Sequence, residues 1–236
     1  MSAAAMPVQN ALSSRARDLL KELYRLIERE NGHAPSASEF FPIAVEKLVT
    51  RVLGWELESV DLVGAQFSLR GDYIGPNHGE TDYAERRIRV SRGRGGDPEL
   101  RFTIAHEVGH VVLHANTLVR ANRTRSLRPV DRRAAMSPEP LQQRLEREAD
   151  VFAAALLMPE RGVRDRFKEL FGAERLLVNS QSTTALRSRV GWPNLKVYAF
   201  ELAQRRVQPN EKTLSEFFGV SPTAMAIRVC ELRLVQ

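Results

Sequence analysis

Cysteine is almost missing from this sequence: Cys230 is the one thiol in 236 residues. A lone thiol cannot form an internal disulfide, so a disulfide-stapled scaffold is excluded and a reducing compartment, the cytoplasm, is expected. Long apolar runs are missing too. The best, residues 151–158, falls far short of the ~18 residues that a membrane helix needs. The first residues show no basic leader followed by an apolar stretch, so no secretory signal is expected. Charge of one sign is scarce except in one place. The net charge is +6, but Arg120, Arg123, Arg125, Arg128, Arg132 and Arg133 face only Asp131, so that segment alone carries +5. The remainder is nearly neutral, which excludes a uniformly basic nucleic-acid coat.

What is present suits a packed domain. Apolar residues make up 43%, enough for one core or a core with a small satellite. Leu19, Leu20, Leu23, Leu26 and Ile27 recur at helical spacing over 14–30, and Asn31-Gly32 closes that helix. A second helix is expected from Pro42 to Leu53. Strand character follows over 55–69, residues 71–81 read as turn-rich, and 87–91 alternate Ile88 and Val90 with arginines as a half-exposed strand. Residues 101–114 are apolar almost all round and predict a buried helix. Residues 116–140 lack an apolar period and predict a long arginine-rich loop beside the site. A further helix is expected over 141–158. Short helices broken at Gly172, at 191–193 and at Pro209-Asn210 complete the chain. The expected organisation is a helical segment 1–54, a core 55–160 with the insert 116–140, and a helical segment 161–236.

The chemistry concentrates at His106-Glu107-Val108-Gly109-His110, an H-E-x-x-H sequence. Residues four apart share a helix face, about 6 Å apart along the axis, so both imidazoles can converge on one ion. Glu107 lies about 100° round the helix, beside such an ion, where a general base belongs. The bare pattern arises by chance in roughly one such chain in a hundred, so context decides. Zinc needs a third ligand and an open position for catalysis. The helix over 141–158 offers Glu146 and Asp150 one turn apart, above the apolar Ala153 and Leu157. Glu146 is the expected third ligand, and Asp150 the carboxylate that orients a ligating imidazole. Glu148 points elsewhere in this reading and pairs with Arg144 as a surface residue. His114 is too far from His106 to share one ion, and is read as a supporting or helix-end residue. Tyr73, His78 and Tyr83 precede the motif and are read as structural or solvated. Zinc is inferred from ligand type; a His₂Glu set also accepts manganese or another divalent ion.

Three pieces in order, RRIRVS, RFTIAHEVGHVVLH and EREADVFAAALLMP, resemble the ImmA/IrrE family of metallopeptidases. The last matches the family's E-x-x-A-[ND]-x-F-A…LLMP pattern with Glu146 at its ligand position and Asp150 at its Asn/Asp position. The segment 214–232 is similar to the family's closing piece. The resemblance implies an α+β, zincin-like fold and a zinc endopeptidase. Its expected substrate is a helix-turn-helix transcriptional repressor, in a stress or mobile-element response. The arginine-rich insert and residues 161–210 depart from the family pattern. An extended substrate could add to the strand at 87–91.

The competing expectation is a DNA- or protein-binding regulator with a structural or vestigial metal site. Residues 214–232 have a helix-turn-helix outline. As a DNA reader it would offer Thr223, Ala224 and Arg228, weak readers on a nearly neutral segment, so packing or partner docking is favoured. An intact Glu107 also argues against a closed structural site. No membrane partner is expected.

Overall fold

The computed structural model describes residues 5–60, 79–91, 97–115, 139–177 and 195–236. The arginine-rich insert, the break at 191–193, Tyr73 and His78 lie outside them. In chain order the elements are α1 (Ala5–Asn31), α2 (Ala37–Phe40), α3 (Val45–Lys47, continuing in π register over Leu48–Val52) and β1 (Glu56–Val60). Then come β2 (Gly79–Asp82), β3 (Arg87–Ser91) and α4 (Asp97–Gly109, continuing in π register over His110–His114). The rest is α5 (Glu139–Leu157), α6 (Glu160–Phe171), α7 (Leu195–Gln204), α8 (Leu214–Phe218) and α9 (Pro222–Glu231). The fold is α+β, with a small mixed sheet against helices, as expected. No helix among the described residues is long and apolar enough to cross a membrane.

The helices obey their apolar periods. Leu12, Ala16, Leu19, Leu20, Leu23 and Ile27 form the buried stripe of α1, which lies along α5. Gly32, at φ +75°, ends α1 where glycine was expected to. The lower half of α5 is apolar on every side and buries Phe152, Ala153, Leu156 and Leu157. Burial of each large side chain contributes about 1.5–3 kcal/mol. Residues from all three expected segments join one apolar core.

The second helix starts three residues later than expected, at Val45, and Pro42 lies against the turn at Gly219. A Cβ at Gly219 would stand 2.8 Å from Pro42 Cβ and 2.9 Å from Arg101 Nε. Gly219 also takes φ +63°, so the turn between α8 and α9 needs a glycine for both conformation and space. Arg101 on α4 clamps this turn, donating to the carbonyls of Gly219 and Ile43 at 3.1 and 2.6 Å.

In the sheet, β3 lies between β1, paired in parallel, and β2, paired antiparallel. This corrects two expectations. Residues 79–81 were read as part of a turn-rich stretch, yet with Asp82 they form a strand. Their sequence, Gly-Glu-Thr-Asp, has no apolar residue to alternate, because the inward face meets a carboxylate rather than the core. The strand 87–91 was expected to offer an edge for substrate; both its sides are paired, and among the described residues β2 is the outer strand next to α4. Ile88 and Val90 are buried, whereas Arg87 and Arg89 meet Glu56, Glu58, Glu80, Asp82 and Glu85 on the opposite face.

Candidate metal centre

Helix α4 and helix α5 meet at their small residues. Gly109 is buried, and a Cβ there would come within 3.1–3.3 Å of the Cα, carbonyl oxygen and Cβ of Ala149. This close pass brings the polar upper part of α5 against the imidazoles of α4. His106 Nε2 and His110 Nε2 lie 3.1 Å apart, and Glu146 Oε2 stands 3.1 and 3.5 Å from them. These three groups could hold one metal ion. Zinc bonds of about 2.0–2.2 Å in a tetrahedron put neighbouring donors roughly 3.3–3.5 Å apart. The observed separations therefore fit three donors on one face of such a tetrahedron, with no fourth donor among the described residues.

The surrounding groups set these donors. Asp150 Oδ1 lies 2.9 Å from His106 Nδ1, as expected from the sequence. Burial works against a charge on His106, but the hydrogen bonds to Asp150 and Glu146 prevail and raise its pKa to about 10. The hydrogen bond with His106 and the nearby His110 imidazole hold the Glu146 carboxyl far below its usual range. The two carboxylate side chains are 49% and 57% exposed, so they line an open cleft rather than a sealed interior; the buried stripe begins just below, at Ala149.

Glu107, beside this cluster, meets β2. Thr81 Oγ1 donates to its Oε2 at 2.6 Å. Thr81 is paired with Ile88, so it shares the helix-facing side of the sheet. Gly79, two residues earlier on that side, leaves room for the same carboxylate: a Cβ there would stand 2.7 Å from Glu107 Oε1. Glu107 is 8% exposed, and burial raises its pKa above the ordinary value while the Thr81 bond and the two imidazoles pull it down. A carboxylate raised towards neutrality is suited to taking a proton. Thr81 and Gly79 were not singled out in the sequence. The H-E-x-x-H motif required something opposite Glu107, but nothing in 79–82 announced it.

Glu148 corrects its expectation. It does pair with Arg144, at 2.7 Å, but its side chain is only 16% exposed and its other oxygen lies 3.1 Å from His114 Nε2. His114, 3% exposed, places Nδ1 3.1 Å from His110 Nδ1. Within the π-helical turn over His110–His114 the second and third histidines meet with their rings tilted 57° to one another, centroids 5.3 Å apart.

Tyr83 follows Thr81 by two residues, at the end of β2, with its ring edge-on to Trp55. Its hydroxyl is buried and has no hydrogen-bond partner among the described residues. Burial and the charges of Glu107 and Glu146 push its pKa up, so the phenol keeps its proton. Of its two readings in the sequence, structural or solvated, the buried hydroxyl removes the second.

The sequence profile of the IrrE N-terminal-like domain, Peptidase_M78, matches residues 72–192, which span both helices of this centre. The chain belongs to this metallopeptidase family. No curated protein matches the chain. Among solved structures, a Mycobacterium tuberculosis transcriptional regulator is similar over 96% of this chain, at 14% identity and a TM-score of 0.44. The chain covers 53% of that regulator, and likeness at this level carries no argument about function.

Proposed function

We propose that this peptidase is a zinc-dependent endopeptidase that cleaves a helix-turn-helix transcriptional repressor in the cytoplasm. The observation that carries the enzymatic reading is the convergence of His106 Nε2, His110 Nε2 and Glu146 Oε2, with Glu107 held beside them by Thr81. Zinc bound there would polarise the scissile carbonyl and lower the pKa of a bound water to about 7. Glu107 takes a proton from the attacking water and delivers it to the leaving amide nitrogen. Thr81 fixes the carboxylate without neutralising it. The outer edge of β2, next to Glu107, aligns an extended substrate by strand pairing. Tyr83 keeps a protonated hydroxyl on the same side, buried without substrate; turned into the cleft when substrate binds, it donates to the oxyanion that develops on the scissile carbonyl. The repressor as substrate, and a role in gene regulation under stress, rest on the resemblance of the two helical motifs.

The DNA-reading alternative draws little support from α9. Arg228, its best candidate, is buried and donates to the Met158 carbonyl at 3.0 Å and to Glu231 at 3.1 Å. The exposed stripe of that helix is Thr223, Ile227 and Glu231, which has no cation to meet phosphate.

The test is incubation of purified protein, loaded with zinc or manganese, with a repressor encoded beside its gene. Products are identified by mass spectrometry. Cleavage by wild type and none by Glu107→Gln, with equal metal content, is expected. Glutamine keeps the shape but cannot accept the proton. Equal cleavage by both proteins would refute the general-base assignment, and no cleavage by either would refute the enzymatic reading for that substrate.

A further inference from the structure

The third histidine and Glu148 are not ligands in the reading above, yet they continue the same line of contacts. The line runs Arg144 Nε to Glu148 Oε1 at 2.7 Å, Glu148 Oε2 to His114 Nε2 at 3.1 Å, and His114 Nδ1 to His110 Nδ1 at 3.1 Å. It ends at His110 Nε2, which faces Glu146. A contact between two ring nitrogens at 3.1 Å needs one donor and one acceptor.

We infer that Glu148 and His114 are positioning residues that set the tautomer of His110. An ionised carboxylate only accepts, so His114 carries its hydrogen on Nε2 and donates it to Glu148. Its Nδ1 then holds a lone pair and accepts the Nδ1 hydrogen of His110. That leaves the lone pair of His110 on Nε2, aimed at the position shared with His106 and Glu146. The arrangement mirrors the other ligand, where Asp150 accepts from His106 Nδ1 and leaves its Nε2 for the ion. The two imidazoles are thus set from opposite sides, one by a carboxylate directly and one through an intervening histidine. Arg144, itself exposed, holds Glu148 against His114 and keeps it ionised. The intervening histidine is needed because Glu148 lies level with His114, one helical turn beyond His110, and meets the line there.

This inference rests on the metal-site reading, and its test separates the two. Ring nitrogens of the zinc-loaded protein are assigned by ¹⁵N–¹H correlation spectroscopy. His110 is expected as the Nδ1–H tautomer and His114 as the neutral Nε2–H tautomer. A His114 that is doubly protonated, or that carries its hydrogen on Nδ1, overturns the inference even if zinc binds. Zinc affinity is then measured by chelator competition for three variants. Glu148→Ala removes the acceptor and should weaken zinc by about 10–100-fold, the usual effect of losing such a support. Glu148→Gln keeps an acceptor oxygen and should recover most of that loss. His114→Ala should match Glu148→Ala, and the double variant should be no worse than either. Losses that track melting temperature alone, or equal losses for alanine and glutamine, overturn the positioning role. A wild type that binds no zinc overturns both readings.

Discussion

Gly109→Ala probes the contact on which the centre depends. The new Cβ would stand 3.1, 3.2 and 3.3 Å from three atoms of Ala149, two of them backbone. Carbon atoms settle at about 3.5–4.0 Å, so α5 must retreat by roughly 0.3–0.5 Å, since its backbone cannot rotate aside. Two effects on stability oppose one another. Alanine gains up to about 1 kcal/mol over glycine inside a helix. Overpacking costs about 1–3 kcal/mol. The metal-free protein should therefore lose between nothing and about 2 kcal/mol, a shift of a few degrees in melting temperature. The ion has less tolerance. Glu146 rides on α5 three residues before Ala149, and metal–ligand distances hold to about ±0.2 Å. Zinc affinity should fall about tenfold or more, equivalent to about 1.4 kcal/mol. Chelator competition gives the affinity, and melting in excess EDTA gives the stability. A variant that binds zinc as tightly as wild type would refute the claim that this helix–helix pass sets the ligand geometry. A large loss of fold with unchanged zinc affinity per folded molecule would refute it equally.

Tyr83→Phe should lower kcat by about tenfold to several hundredfold, since one oxyanion donor is worth up to ~10³, with KM and zinc content unchanged; an unchanged kcat would remove Tyr83 from the chemistry. Zinc loading near pH 8 should release about two protons per ion, one from a water whose pKa zinc lowers to about 7 and one from His106, which with its pKa raised to about 10 carries a proton there and must lose it to coordinate, so release of a single proton would remove the His106 share. Titration calorimetry in buffers of different ionisation enthalpy reads this number, and release of none would refute both shares. The same shifts give the metal-free protein a defined pH window. The His106 contribution is complete below about pH 6.5 and is lost as pH rises through about 10, whereas that of Glu146 is complete above its ordinary value near 4.5 and is lost on acidification. Melting in EDTA should therefore peak between those limits, and a maximum above pH 9 would contradict the ion pair.

Local pattern determined much of this protein by itself. The 3.6-residue period marked the buried faces of α1 and α5. Gly32 and Gly172 marked helix ends, at φ +75° and +67°. The i, i+4 spacing of His106 and His110, with Glu146 and Asp150 one turn apart on a later helix, named the groups that the fold brings together. All of these follow from the geometry of a single helix, which sequence spacing reports directly. Tertiary structure alone decided what stands opposite each helix. Strand β2 has no apolar residue to betray it, because its inner face was built around Glu107, with Gly79 for room and Thr81 for a hydrogen bond. Glu148 read as a surface partner of Arg144 because the i, i+4 pair was visible, while His114, 34 residues away, was not. The strand at 87–91 looked like an edge because half-exposure follows from having one face in solvent, which says nothing of neighbours on either side. Contacts between segments distant in the chain leave no period in the sequence, and Thr81 on Glu107 and Glu148 on His114 are of that kind.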